Sequence, residues 1–334
     1  MKLLTVTVPC YNSAEYMSKC IDSLLTGGDR VEIIVIDDGS IDATGQIAER
    51  YAAEHPTVVR VVHQQNGGHG EGINVGLALA TGKYFKVVDS DDWVDTGALS
   101  QLLDAMEDTD ADMFVTNYIY THDDSKYDSV NEYGWEFRDG KATTWSQTRP
   151  FRPDAFLSLH SVTFSLDVCK RSGVKLPAHT FYEDNLFVYV PMKYVETFRY
   201  LNVDLYRYYI GREGQSVQTD VFASRYAQQV KISLQMYKTY DFADEIMLNE
   251  KRGKYLYHDC RMLLAIATAA ARLNGSDEAE QVCKDMWNEV VSHDPVYGKR
   301  LRYCSPAALQ TLPGEPGRKI ANSLYKLTRK LIKS

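Results

Sequence analysis

The chain has 334 residues, 44% hydrophobic and 25% charged, an ordinary composition for a folded protein of one large α/β domain with an appendage or of two modest domains. A net charge of -8 speaks against a nucleic-acid binder, whose footprint is basic, and no run of eighteen apolar residues predicts a membrane span. Six scattered cysteines without a Cys-x-x-Cys pair give no sign of a zinc site or disulfide scaffold; with no signal-peptide pattern at the start, the expectation is a cytoplasmic protein with reduced thiols.

Residues 3–8 are rich in β-branched side chains and predict a first buried parallel strand that stops at Pro9, which cannot continue a ladder inside a sheet. The loop that follows offers Ser13 as an N-cap, after which Tyr16, Met17, Cys20, Ile21 and Leu24 recur at helical spacing up to Gly27 and Gly28. Neither a Gly-x-Gly-x-x-Gly fingerprint nor a phosphate-binding Gly-Lys-Ser is present; Tyr11 offers an aromatic face for a base, or else packs beneath the loop. A second strand over 31–36 ends in Asp37 and Asp38, where a carboxylate can accept from a ribose hydroxyl or a base N–H, while Ser40 and Asp42 are suited to capping the helix that runs to about His55.

A third strand over 58–63 leads to Gly67, Gly68, Gly70 and Gly72, a density of glycine that fits either a loop beside a ligand or a linker; its place between two firm elements favours the loop. The next helix, through Asn74 and Leu79, stops at Gly82. The strand over 83–88 then ends in Asp89, Asp91 and Asp92, three carboxylates whose mutual repulsion a hard divalent cation would relieve. The competing reading is that Asp92 or Asp95 caps the helix starting near Thr96. Four strand–helix alternations imply a parallel sheet with right-handed crossovers, and every acid named falls at one end of it. The polar stretch over 121–148 reads as a loop region.

Val6-Thr7-Val8-Pro9-x-Tyr11-Asn12 with Glu15, Val35-Ile36-Asp37-Asp38-Gly39-Ser40-x-Asp42, Asn66-x-Gly68 with Asn74-x-Gly76 and Gly82-x-Tyr84, and Asp89-Ser90-Asp91-Asp92 together resemble the family 2 glycosyltransferases of the GT-A fold. The resemblance covers the N-terminal third. It implies a Rossmann-like, mostly parallel α/β sheet flanked by helices, with Pro9, Tyr11, Glu15 and Asp38 around the nucleoside of a UDP-sugar, Asp89 on the ribose, and Asp91 on a Mg2+ or Mn2+ that neutralises the leaving diphosphate. It also implies inversion at the anomeric carbon, with one base for the acceptor hydroxyl. Glu183-Asp184 resembles the family's Glu-Asp motif, making Asp184 the expected base with Glu183 as its alternative; read locally, the pair is an N-cap for an apolar helix over 186–194. Arg212, in a segment with Ser216, resembles a diphosphate contact, the alternative being a surface ion pair.

Relatives often carry Ala-Arg-Asn where this chain has Gly72-Ile73-Asn74, so a cation near the donor is missing and His69, Lys86 or Arg212 is left to replace it. The Gln-x-x-Arg-Trp motif of processive synthases is absent, which points to one sugar per encounter. From residue 222 the pattern turns helical, with helices expected over 223–249, 254–273 and 277–292, suited to covering an acceptor, pairing in a homodimer or completing the fold. Residues 317–334 carry six basic side chains and no acid, with Ile320, Leu324, Leu327 and Leu331 on one helical face, as in a peripheral membrane helix or an ordinary packing helix.

The expected organisation is a nucleotide-sugar half over 1–110, an acceptor and base half over 111–221, a helical region over 222–316 and the basic tail. The expected activity is transfer of a single sugar to a saccharide or lipid-linked saccharide in polysaccharide synthesis. A sugar-phosphate nucleotidyltransferase should instead show a Gly-rich, Arg-containing first loop, and a non-catalytic nucleotide-sugar-binding protein should bind without turnover.

Overall fold

A computed structural model describes residues 2–122, 129–210, 219–305, 307–310, 317, 319–320 and 323. The chain divides into two compact units, one formed by 1–149 with 157–210 and the other by 150–156 with 211–334. Arg212, Ser216 and most of the basic tail lie outside the described residues.

The first unit begins with β1 (Leu4–Cys10), α1 (Met17–Leu25), β2 (Val31–Asp37), α2 (Thr44–Glu54), β3 (Val59–His63), α3 (His69–Leu79) and β4 (Tyr84–Val87), the four alternations expected. These strands pair in parallel in the order β3-β2-β1-β4. Every residue of β1, β2 and β4 is buried, as continuous apolar strands covered on both faces should be. One expectation fails at Pro9, which lies inside β1 opposite Ile36. The β1–β4 ladder has already ended at Thr7 and Val87, so the missing Pro9 N–H interrupts no rung on that side.

Beyond β4 come β5 (Trp93–Val94), α4 (Thr96–Asp108), β6 (Met113–Thr121), β7 (Ser129–Asn131), β8 (Ala142–Thr144), β9 (Val162–Ser165), α5 (Leu166–Ser172), α6 (Asp184–Tyr189) and β10 (Thr197–Tyr209). The sheet continues β4-β9-β6-β10-β5, with β9 antiparallel to both neighbours and β6 parallel to β10. The 121–148 stretch, read as loop, contributes the short strands β7 and β8, antiparallel to β6 and β10. Three residues per strand are too few for an alternating pattern to stand out in sequence.

The second unit is helical: α7 (Thr219–Ser224), α8 (Tyr226–Thr239), α9 (Phe242–Leu248), α10 (Glu250–Asn274), α11 (Asp277–His293) and α12 (Tyr297–Tyr303). The single helix expected over 223–249 is three. No Gly or Pro marks the second break; Asp241 makes it by accepting from the Asp244 N–H at 3.0 Å and starting α9 afresh. Trp287 and Tyr237 fasten this core through polar tips, donating to Thr268 Oγ1 at 3.0 Å and to the Val290 carbonyl at 2.9 Å. No described helix is long and apolar enough to cross a membrane.

Candidate active site

The parallel strands of the first unit release their loops at one rim, where ligands bind in open α/β sheets. Side chains stitch these loops together. Asn12 N–H donates to Ser40 Oγ at 3.0 Å, Ile41 N–H to Asn12 Oδ1 at 2.9 Å, and Ser13 N–H to Thr44 Oγ1 at 2.7 Å. Ser13 does not cap α1; its hydroxyl lies 2.8 Å from that of Ser90, tying the first loop to the acid-tipped one. Ser40 caps nothing either, whereas Asp42 does bond the Thr44 N–H at 2.9 Å at the start of α2. Pro9 is buried, Glu15 is exposed in the turn before α1, and Tyr11 leaves 54% of its surface open.

The two acids after β2 have different partners. Asp37 contacts His63 Nδ1 at 2.8 Å and accepts from Ser40 N–H at 3.1 Å; burial opposes its charge, but these hydrogen bonds hold its carboxyl below the usual range. Asp38, 3% exposed, accepts from Gln64 Nε2 at 2.6 Å and from the N–H groups of Gly67 and Gly68, both at 2.8 Å. Asp38 therefore anchors the glycine-rich segment. That segment is not a linker, since α3 already begins at His69, and its glycines are pressed against the protein itself. A Cβ on Gly70 would stand 2.8 Å from Glu183 Cγ, and Gly68, at φ +84°, meets the His179 backbone.

At the end of β4, Asp95 caps α4 by accepting from Ala98 N–H at 3.0 Å, leaving Asp92 free of the capping role also considered for it. Asp92 instead accepts from Tyr206 Oη at 2.6 Å and Tyr209 N–H at 2.8 Å, and so ties β10 to the acidic loop. Burial first, then Asp91 and Asp89, push its carboxyl well above the usual range. Asp89, Asp92 and His160 offer ligand atoms all within 4.8 Å of one another, with His160 Nε2 4.0 Å from Asp89 Oδ2. His160 is stacked on Tyr208 at 4.6 Å, and burial lowers its pKa to about 4, leaving a neutral imidazole with a lone pair. Crowded carboxylates beside a neutral imidazole suit Mg2+ or, better, Mn2+, so the donor set that fits a divalent cation is Asp89, Asp92 and His160, with Asp92 where the sequence pointed to Asp91.

Sequence reasoning missed His160, which precedes a four-residue strand and belongs to no motif quoted above. Its position depends on Lys86, a fully buried lysine that donates to the carbonyls of His160 at 2.9 Å and Val162 at 3.1 Å. Burial lowers the Lys86 pKa to about 7. The ammonium is used up inside the sheet, so Lys86 does not replace the cation missing at Ile73.

Glu183 and Asp184 come to the same rim. The backbone before them is strained into positive φ at His179 (48°) and Tyr182 (69°), and Glu183, at the N-cap position of α6, makes no side-chain cap. Its Oε1 lies 2.8 Å from His69 Nδ1, while His69 Nε2 lies 2.8 Å from Asp89 Oδ1. Burial, followed by repulsion from Glu183, raises the pKa of Asp184 from 3.8 to about 7. A carboxylate so poised can take a proton near neutrality. Asp89 and Glu183 thus meet on His69, with Asp184 next to Glu183 and Asp38 holding the amides just before His69, whereas Tyr11 and Glu15 are exposed in the first loop.

A Rossmann-like sheet whose C-terminal rim gathers acids, an imidazole and an open aromatic ring is suited to holding a nucleotide with a divalent cation. Residues 5–163 match the family described as Glycosyl transferase family 2. The glycosyltransferase GlyG of Streptococcus pneumoniae serotype 4 is 37% identical over 126 residues, 37% of this chain and 41% of that protein. GlyA of the same organism is 36% identical over 124 residues, 37% of this chain but 18% of GlyA, so the chain spans well under two thirds of either relative. Among solved structures, residues 1–349 of Staphylococcus aureus TarS in complex with UDP-GlcNAc superpose with a TM-score of 0.68 at 19% identity, covering 98% of this chain and 92% of that one. That likeness establishes the GT-A-like fold.

Proposed function

We propose that this chain is a metal-dependent inverting glycosyltransferase that moves a single sugar from a nucleotide donor, a UDP-sugar, to a saccharide or lipid-linked saccharide acceptor. The observation that carries this reading is the meeting, at one sheet rim, of Asp89 and Glu183 on the two nitrogens of His69, with Asp184 beside them near neutral pKa. The UDP assignment is supported by the fold shared with a TarS domain crystallised with UDP-GlcNAc.

In this reading the open ring of Tyr11 stacks on the base, with Pro9, Glu15 and Asp38 completing the nucleoside side. Asp89 lies toward the ribose, and Asp89 and Asp92 hold the cation, aided by His160. A bound Mg2+ or Mn2+ supplies charge neutralisation for the departing diphosphate. Asp184 removes the acceptor hydroxyl proton as the oxygen attacks the anomeric carbon; the C–O bond to the diphosphate breaks with its electron pair, and nucleoside diphosphate leaves. Arg212, in the proposal, contacts that diphosphate. Substrate entry from the cytoplasmic side, with the basic tail touching the membrane, belongs to the same proposal.

The test is a donor panel read by thermal shift with and without Mn2+, followed by nucleoside diphosphate release with the parent and Asp184→Asn. One nucleotide class should raise the melting temperature in a metal-dependent way, and release should fall at least 100-fold in the variant. Metal-dependent binding with no turnover by the parent on any donor and acceptor would favour a binding protein and overturn the enzyme reading.

A further inference from the structure

We propose that His69 is a positioning residue for sugar transfer, a clasp that holds the donor-side acid Asp89 and the acceptor-side acid Glu183 in fixed register. The inference rests on the glycosyltransferase reading above. Each ring nitrogen faces a carboxylate oxygen at 2.8 Å. His69 therefore bridges two acids that reach the rim from different elements, one after β4 and one before α6.

Both ends of the clasp are themselves restrained. His69 opens α3 directly after Gly68, whose N–H is held by Asp38. On the other side, Asn74 of the same helix accepts from Leu176 N–H and donates to the Leu176 carbonyl, both at 2.9 Å, and His179 N–H donates to the Gly67 carbonyl at 2.9 Å. The segment carrying Glu183 and Asp184 is thus laid along residues 67–74, and His69 is the point where that contact reaches the acids. By bonding Asp89 Oδ1 it leaves Oδ2 as the oxygen on the His160 side. By bonding Glu183 it fixes the residue next to Asp184.

A residue that acts through two acids should, when lost, slow the chemical step and spare nucleotide binding in the ground state. The variants are His69→Asn and, keeping one donor of similar reach, His69→Gln. Single-turnover transfer by His69→Asn at saturating Mn2+ should fall about 10- to 100-fold, with the nucleotide dissociation constant, read by calorimetry, within about threefold of the parent. His69→Gln should recover part of the rate.

A second readout needs no turnover. Melting temperatures of His69→Asn, Glu183→Gln and the double variant form a cycle, and a clasp predicts a double-variant loss smaller than the sum of the single losses by about 2 °C or more. Additive losses, or a transfer rate within twofold of the parent in His69→Asn, would overturn the proposal. If the parent transfers no sugar at all, the glycosyltransferase reading fails while the cycle still decides whether the clasp exists.

Discussion

Asp184→Asn should make the protein more stable while stopping transfer, and the gain should depend on pH in a stated direction. Burial and Glu183 raise the Asp184 pKa from 3.8 to about 7, so the folded protein binds this proton more tightly than the unfolded chain. An acid shifted this way lowers stability as pH rises above the unfolded value, and the loss levels off once pH passes the folded value. At about 1.36 kcal/mol per pH unit, the ionised side chain costs about 1.5 kcal/mol at pH 5 and about 4 kcal/mol at pH 8. Asparagine keeps the shape and carries no such cost. The melting-temperature gap between variant and parent should therefore widen by roughly 5 °C from pH 5 to pH 7 and stay flat from pH 7 to pH 8. Scanning fluorimetry across that range, in metal-free buffer, measures it. A gap independent of pH, or a variant less stable than the parent at pH 8, would refute the argument that Asp184 is held near neutrality by its surroundings. For the parent, kcat/KM should fall about tenfold per pH unit below 7, because the base must be ionised to act.

Three further changes test other parts of the structure. Tyr206→Phe removes the hydroxyl that donates to Asp92 at 2.6 Å and accepts from Asp89 N–H at 3.2 Å; it should cost about 1–3 kcal/mol in urea titration and weaken Mn2+ binding measurably. An effect confined to stability would separate Tyr206 from the metal site. Gly76→Ala would place a Cβ 2.0 Å from Thr7 Oγ1 where α3 crosses β1, so a drop in the urea midpoint worth roughly 2 kcal/mol or more is expected, and an unchanged midpoint would refute the packing. In the helical unit, Arg252→Met leaves Glu245, 2% exposed, without the guanidinium at 3.2 Å; a loss of about 3–5 kcal/mol should largely return when Glu245→Leu is added.

The N-terminal strands and their parallel pairing were legible because buried parallel strands write continuous β-branched runs bounded by helix periods. The acids at their ends were legible for the same reason, since like charges at a strand terminus carry an electrostatic signature regardless of partners. What sequence could not give was division of labour among neighbours. Asp37 and Asp38 are adjacent and chemically identical, yet one pairs with His63 and the other anchors Gly67 and Gly68. Asp92 and Asp95 were equal candidates for a cap, and only the arrival of Tyr206 from β10, 114 positions along the chain, distinguishes them. His160 and Lys86 depend on β9 slotting between β4 and β6, a long-range pairing with no local pattern.

The position of His69 follows from helix geometry applied to one departure from the family pattern. Ile73, where relatives often carry arginine, is 1% exposed, and His69 lies four residues earlier on α3, one turn away on the same face. A guanidinium at 73 has a long arm and could reach past the acids; an imidazole at 69 is short and sits between Asp89 and Glu183. Lys86, the other described candidate for the missing cation, is committed to two carbonyls inside the sheet. The group that meets Asp89 is thus a ring fixed by two carboxylates rather than a flexible cationic arm. Its reach then no longer extends to a donor phosphate without the cation, so donor binding in this chain should lean on the divalent ion more heavily than in arginine-bearing relatives. The ratio of nucleotide affinities with and without Mn2+ measures that dependence, and restoring the arm as Ile73→Arg should lower it; an equal ratio in both proteins would mean that the clasp is structural and carries none of the electrostatic role of the arginine.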